Sequence, residues 1–132
     1  MTRTVLAADF GGTHLRAAVV DHDGNILSRV DHPTPEEATP QSVIARVVDL
    51  LAEAADAAPI RPSAACIATA GLINADEGKV ILAPNIPGFR NLNLTTPVTE
   101  RLGAPAFIEN DASAAALGEF RFGAGKGTQH LL

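Results

Sequence analysis

The sequence has no tryptophan and no tyrosine, a single cysteine (Cys66), and five phenylalanines as its only aromatics. One cysteine excludes an internal disulfide framework and a cysteine-built zinc cluster within these residues. No apolar run approaches the roughly 18 residues that a membrane helix needs. The opening MTRTVLAADF carries a charge but no long apolar centre and no cleavage site, so no secretory leader is read there. A cytoplasmic location is the default expectation. Positive charge is in deficit as well. Ten Lys and Arg against fifteen Asp and Glu leave a net charge of −5, which argues against nucleic acid or a membrane surface as partner. What is present is an alanine-rich chain of 132 residues, 46% hydrophobic and 19% charged, enough for one globular domain with a core of small side chains.

The apolar pattern divides the chain into short pieces. TVLAAD (4–9) reads as a buried strand and LRAAVVD (15–21) as the next, with Asp23-Gly24 a two-residue hairpin into NILSRVDH (25–32). Three strands so close together are antiparallel, because no crossover fits between them. Thr39 and Pro40 read as the N-cap and first residue of a helix over 40–57, whose Val43, Val47, Leu50, Leu51 and Ala54 recur at helical spacing. SAACIATAG (63–71) reads as a buried parallel strand, with Cys66 a buried small hydrophobe inside it. A hairpin of LIN and KVIL follows around Asp76-Glu77-Gly78, then an irregular loop, APNIPGFRNLNL. Thr96 and Pro97 open a helix to about Leu102. APAFIEN is another buried strand, DASAAALGEF a small-residue helix, FGAGKGT a glycine-rich loop, and QHLL the first residues of a further strand. The predicted fold class is α/β: a mixed sheet of ribonuclease H-like type, with three antiparallel strands continued by parallel strands with crossover helices.

Two stretches carry chemistry. In Asp9-Phe10-Gly11-Gly12-Thr13, two glycines let a backbone approach a ligand and turn successive N–H groups toward it, a concavity that suits phosphate. Thr13 adds a hydroxyl, and Asp9 at a strand end is a candidate for magnesium or its waters. The same residues also make an ordinary glycine hairpin, with Asp9 as its cap. Asn110-Asp111 stands where a strand meets a helix, so Asp111 reads as a helix cap. The position is equally the carboxyl end of a parallel strand, where α/β sheets place ligands and where a carboxylate can act as general base. FGAGKGT is not a Walker A loop: Gly127 follows Lys126, Phe120 holds the first-glycine position, and a helix precedes it. Lys126 reads as a solvated loop lysine. His14, His22, His32 and His130 have no metal-ligand spacing, and neither Ser63 nor Ser113 sits in a nucleophile elbow.

In combination and in order, DFGGTHLRAAVVDHDG, TAGLINADEGKVILAPNIPGF and PAFIENDASAAALGEFRFGAGKG resemble the ROK family of bacterial sugar kinases and sugar-responsive repressors, of the actin-like ATPase superfamily. The resemblance covers nearly the whole chain and is strongest to glucokinase-type members. It implies ATP-dependent phosphorylation of a hexose at the 6-hydroxyl. Asp111 would be the base, Asn110 would hold neighbouring hydroxyls, and Gly71 and Asn85 would line the sugar cleft. Asp9, Gly11, Gly12 and Thr13 would face the ATP phosphates and Mg2+. His14 stands where many members carry Lys, and Phe89 where Trp is frequent.

By the same resemblance, residues 1–132 are an N-terminal lobe. The C-terminal lobe would supply a second phosphate loop, the adenosine pocket, further sugar ligands, a structural zinc and most of a homodimer interface. The chain alone is then expected to be inactive. The alternatives are a lobe of a sugar-sensing ROK-type transcriptional regulator without kinase activity, and a stand-alone lobe whose exposed apolar edge would dimerise or aggregate.

Overall fold

The computed structural model describes residues 2–129, so the strand expected over QHLL, together with His130, falls almost wholly outside the described residues. Three strands open the chain: β1 (Thr4–Phe10), β2 (His14–Asp21) and β3 (Ile26–Pro33). They pair antiparallel, β1 with β2 from Thr4 opposite Asp21 to Phe10 opposite Leu15. The β2–β3 connection is wider than a two-residue hairpin. The Asp21 carboxylate accepts from the Asp23 and Asn25 backbone amides and from the Asn25 side chain, closing a four-residue loop. Those bonds hold the Asp21 carboxyl below its ordinary pKa, the Asn25 side chain contributing most.

Helix α1 (Pro40–Ala57) starts as its sequence dictates. The Thr39 hydroxyl accepts from the Ser42 amide, the Ser42 hydroxyl accepts from the Thr39 amide, and Pro40 needs no amide partner at N1. Its apolar stripe (Val43, Val47, Leu50, Leu51, Ala54) covers one face of the sheet, against Leu6, Ala8, Phe10, Leu15, Ala17 and Val19. Each fully buried Leu, Val or Phe in that layer contributes about 1.5–3 kcal/mol.

After α1 the chain returns as β4 (Ala65–Thr69), parallel to β1. A three-stranded antiparallel sheet follows, β5 (Leu72–Asn74), β6 (Lys79–Leu82) and β7 (Arg90–Asn93), then α2 (Thr95–Leu102), β8 (Ala106–Asn110) and α3 (Asp111–Phe122). β8 pairs parallel with β4, giving a five-stranded mixed sheet in the order β3-β2-β1-β4-β8. The expected mixed α/β order holds, with one addition: RNLN, read as irregular loop, is β7. It pairs with β6 by placing Leu92 opposite Val80, both buried. Helix α2 begins at Thr95 with Leu94 at its cap position, one residue before the expected start.

The strands read as buried are covered on one side only. On β1, Leu6, Ala8 and Phe10 point to α1, whereas Val5, Ala7 and Asp9 face outward. On β4 the outward residue is Cys66. It is exposed, contrary to the core position expected for it, because the period-2 alternation hands the covered face to Ala65, Ile67 and Thr69. The outer face carries Phe107 at 58% exposure, and α3 leaves Leu117 at 58% and Phe122 at 63%. No residue of α3 is buried. Cys66 opens into the groove that Phe107 and Leu117 border, where the apolar surroundings and then the Glu109 carboxylate push its thiol above the usual pKa.

Candidate functional site

The parallel strands end side by side. Phe10 pairs with Thr69, and Thr69 pairs with Asn110, so one row across the sheet carries the ends of β1, β4 and β8. Beyond that row lie the Gly11-Gly12-Thr13 turn, the Ala70-Gly71 bend and the start of α3. Residues 9–13, 71 and 110–111, separated by up to 102 positions in sequence, therefore share one sheet edge, the carboxyl edge where α/β sheets bind ligands.

The Gly11–Thr13 turn is clasped from behind by Thr34. Its amide donates to the Thr13 carbonyl (2.9 Å) and its hydroxyl to the Gly11 carbonyl (2.6 Å), while the Gly11 amide donates to the His14 carbonyl. Thr34 lies between the strand expected over 25–32 and the helix expected over 40–57, where no element was expected. The residue before it, Pro33, is the last of β3. The two glycines differ. A β-carbon placed on Gly12 would lie 3.1 Å from the Asn85 carbonyl oxygen, so Gly12 is small because loop 83–89 abuts it. On Gly11 it would meet nothing nearer than the His14 carbonyl at 3.8 Å, ordinary contact, and the Gly11 φ is not in the left-handed region. The fold therefore has room for a methyl at Gly11.

Loop 83–89 is held rigid from within. The Ala83 amide donates to the Phe89 carbonyl, Ile86 to Ala83, and Phe89 to Ile86. Ala83, Ile86 and Phe89 are buried, and Phe89 packs edge-on against Phe10 with ring centres 6.0 Å apart and planes at 88°. Asn85 is left exposed beside Gly12 on this fixed loop.

At α3 the cap is Asn110 rather than Asp111. The Asn110 side-chain oxygen accepts from the Ala112 and Ser113 amides, and its Nδ2 donates to the Gly71 carbonyl at 3.1 Å. With the oxygen's two lone pairs so engaged, one amide hydrogen of Asn110 remains for a ligand. Asp111 is the first helical residue. It is partly exposed, with Oδ1 2.8 Å from the Ala112 amide. Asn110 is thus the cap residue, and Asp111 shares only the Ala112 amide with it. Asp9 is exposed on the outer face one row back from the turn, opposite Arg16.

The remaining candidates fall outside this edge. Lys126 is exposed in a run of turns whose amides return to Glu119, Gly123 and Gly125, with no helix opened behind it. His14 pairs with Asp31, His22 with Asp23 and His32 with Glu53. Among the described residues no three His, Cys, Asp or Glu side chains cluster in a metal-binding arrangement. None of the described helices is long and apolar enough to cross a membrane.

A mixed sheet with a glycine turn, a small-residue bend and an acidic helix start along one edge defines a domain of mixed α/β architecture. Comparison with known proteins names the family. Residues 5–132 match the ROK family, and the chain belongs to it. It is 41% identical over 129 residues to the glucokinase of Streptomyces coelicolor, covering 96% of this chain and 38% of that protein. To the glucokinase of Thermotoga maritima it is 36% identical, over 97% of this chain and 40% of the relative. Among solved structures, a ROK family glucokinase from Streptomyces griseus in complex with glucose and AMPPNP superposes with a TM-score of 0.78 at 39% identity, covering 94% of this chain and 38% of that one. A ROK family transcriptional regulator, homologous to the E. coli MLC protein, also superposes at 0.78, with 26% identity over 93% of this chain and 32% of its own. The chain thus spans about two fifths of the length of the curated relatives it matches.

Proposed function

We propose that residues 1–132 are the N-terminal lobe of an ATP-dependent hexose kinase of ribonuclease H-like, actin-like ATPase architecture, acting on the 6-hydroxyl, with glucose the first substrate to test. The observation that carries this reading is the shared edge. The open turn over Gly11, the fixed loop presenting Asn85 and the unneeded-for-capping carboxylate of Asp111 meet at the ends of three adjacent strands. Asp111 takes the proton of the attacking hydroxyl, and Asn110 gives its one spare N–H to a neighbouring hydroxyl. Gly71 and Asn85 border the sugar, and the Gly12 and Thr13 amides, with the Thr13 hydroxyl, turn toward the donor's phosphates. Catalysis of phosphoryl transfer rests on such positioning and charge stabilisation.

Mg2+ bound with the nucleotide would offset phosphate charge. Asp9 fits it: a single exposed carboxylate at a strand end suits an ion that takes most of its shell from water and phosphate oxygens. A structural zinc does not fit this chain's lone cysteine and is assigned to the second lobe. The uncovered outer face, with Phe107, Leu117 and Phe122 exposed, supports the half-protein reading, as does coverage of two fifths of the relatives. The homodimer and the adenosine pocket belong to that second lobe in this proposal, and a cytoplasmic site of action goes with it.

The test is ADP release from ATP and Mg2+ over a panel of hexoses, using the protein from the complete gene and the 132-residue chain. Turnover on one hexose by the former alone supports the proposal. Sugar binding without ADP release would transfer the chain to the regulator reading, which the superposition on a ROK regulator keeps alive. Activity of the short chain would overturn the half-enzyme reading. Gly11→Ala gives a sharper result. Since the lobe has room for the added methyl, the melting temperature should stay within about 2 °C, while the KM for ATP rises by about 10-fold as the methyl occupies the space meant for phosphate.

A further inference from the structure

The turn from Gly11 to His14 is not built as its length demands. Two-residue connections between antiparallel strands favour the primed turns, whose positive φ at the first central residue matches the strand twist; unprimed turns splay the strands. Gly12 stands at that position, yet its φ lies outside the positive range, as does that of Thr13. The closing bond is changed as well. The Gly11 amide donates to the His14 carbonyl at 3.0 Å. The reverse bond, from the His14 amide to the Gly11 carbonyl, is the one that shuts an ordinary turn. It is not made among the described residues, and the Gly11 carbonyl accepts the Thr34 hydroxyl instead, at 2.6 Å. The Thr34 amide braces the other side, donating to the Thr13 carbonyl at 2.9 Å.

We propose that Thr34 is a positioning residue for phosphoryl transfer: it takes over the bond that would shut the turn, and so keeps the turn's amides free. The reason lies in the peptide plane. Across a trans peptide the carbonyl of one residue and the amide of the next point opposite ways, and every described peptide bond is trans. The Gly11 carbonyl is drawn back to the Thr34 hydroxyl, so the Gly12 N–H points away from Thr34. The Thr13 carbonyl is drawn to the Thr34 amide, so the His14 N–H does the same. One half-buried residue thereby aims two amides of the turn from behind, the arrangement that makes a backbone concavity for an anion. Without the hydroxyl, the Gly11 carbonyl is free to take the His14 amide and the turn becomes an ordinary hairpin. Thr34 is thus the residue that decides between the two readings of Gly11-Gly12-Thr13, a plain turn or a ligand surface. This inference rests on the kinase reading for its kinetic arm only.

The experiment uses the protein from the complete gene with Thr34→Val, Thr34→Ser and, as control, Ser28→Ala. Thr34→Val removes the hydroxyl at nearly constant shape and leaves the Thr34 amide on Thr13, whereas Thr34→Ser keeps the hydroxyl. Ser28→Ala removes another hydroxyl-to-carbonyl bond of β3, from Ser28 to Ala54 at 2.7 Å, toward the other end of the strand. Thr34→Val should raise the KM for ATP about 5- to 10-fold and leave the hexose KM within about two-fold. Thr34→Ser should stay within about two-fold of the parent in both. Ser28→Ala should lower the melting temperature and leave both KM values alone. Amide hydrogen exchange followed by NMR gives a readout independent of activity. Exchange at His14 should slow in Thr34→Val, as its amide closes on the freed Gly11 carbonyl, and should hold in Thr34→Ser. An unchanged KM for ATP in Thr34→Val, an equal rise in Ser28→Ala, or no rescue by serine overturns the inference. So does His14 exchange in Thr34→Val that matches the parent. Absence of turnover on every hexose fails the kinase reading instead, and exchange at His14 then decides the role of Thr34.

Discussion

Asp111→Asn in the protein from the complete gene should cut kcat by about 100- to 10,000-fold, the range that a positioned general base supplies. Residues 1–132 should fold as before. The substitution keeps an oxygen where Oδ1 accepts from the Ala112 amide, and the cap of α3 is the work of Asn110, through the Ala112 and Ser113 amides. Hexose affinity should stay within a few-fold, because the carboxamide retains the shape and one acceptor of the carboxylate. What it loses is the basic lone pair that takes the hydroxyl proton. The discriminating comparison is with Asn110→Ala. That change should cost about 1 kcal/mol of helix stability through the lost cap and release Gly71, so its signature is a lower melting temperature and a higher hexose KM. If Asp111→Asn lowers the melting temperature as much as Asn110→Ala and leaves kcat within two-fold, Asp111 is a structural residue and the mechanism is wrong.

Much of the frame was legible because local rules and tertiary demands agree in it. The α1 range, Pro40–Ala57, follows from Thr39, Pro40 and an unbroken helical stripe, all serving one covered sheet face. The three opening strands were forced to be antiparallel by the shortness of their connections. Less legible were facts that need a partner strand or a second layer. β7 exists because Leu92 finds Val80 across β6, a pairing invisible in the polar string RNLN. Cys66 looked like core because its neighbours are apolar. Yet the described residues leave Cys66 exposed on the outer sheet face, along with Phe107. In the site, Asn110-Asp111 and the glycine turn stood out by composition. The division of tasks between Asn110 and Asp111 did not, since either side chain can cap a helix. Thr34 was missed because it acts on Gly11 and Thr13, 23 and 21 positions away, through bonds that no periodicity encodes.

Gly71→Ala should be far more disruptive than a methyl added at Gly11 or Gly12. Gly71 has φ of +97°, outside the range an alanine adopts without strain, and that alone costs about 1–3 kcal/mol. Sterics add to it. A β-carbon there would overlap the Leu82 carbonyl oxygen and come within 2.8 Å of the Ala83 Cα, both backbone atoms with no side-chain rotamer to yield. Something must move, and each neighbour of Gly71 belongs to the site. Leu82-Ala83 leads into the loop that presents Asn85, and the Gly71 carbonyl anchors the Nδ2 of the Asn110 cap. The displacement therefore reaches the sugar-side loop and the start of α3 together. A stability loss of about 3 kcal/mol corresponds to a drop in melting temperature on the order of 10 °C for a unit of this size. The hexose KM should rise about 10-fold or more, from misplacement of Asn85 and Asn110. The KM for ATP should change far less, because the Gly11–Thr13 turn is held by Thr34 and not by Gly71. Gly12→Ala is the matching control. Its methyl would sit 3.1 Å from the Asn85 carbonyl at an ordinary φ, so it presses on the same loop from the phosphate side with a smaller loss of stability. Calorimetric melts and the two KM values, measured on both variants, separate the cases. A Gly71→Ala protein that melts like its parent and binds hexose normally would mean that loop 83–89 gives way freely, contrary to the closed hydrogen-bond set and buried Phe89 that hold it.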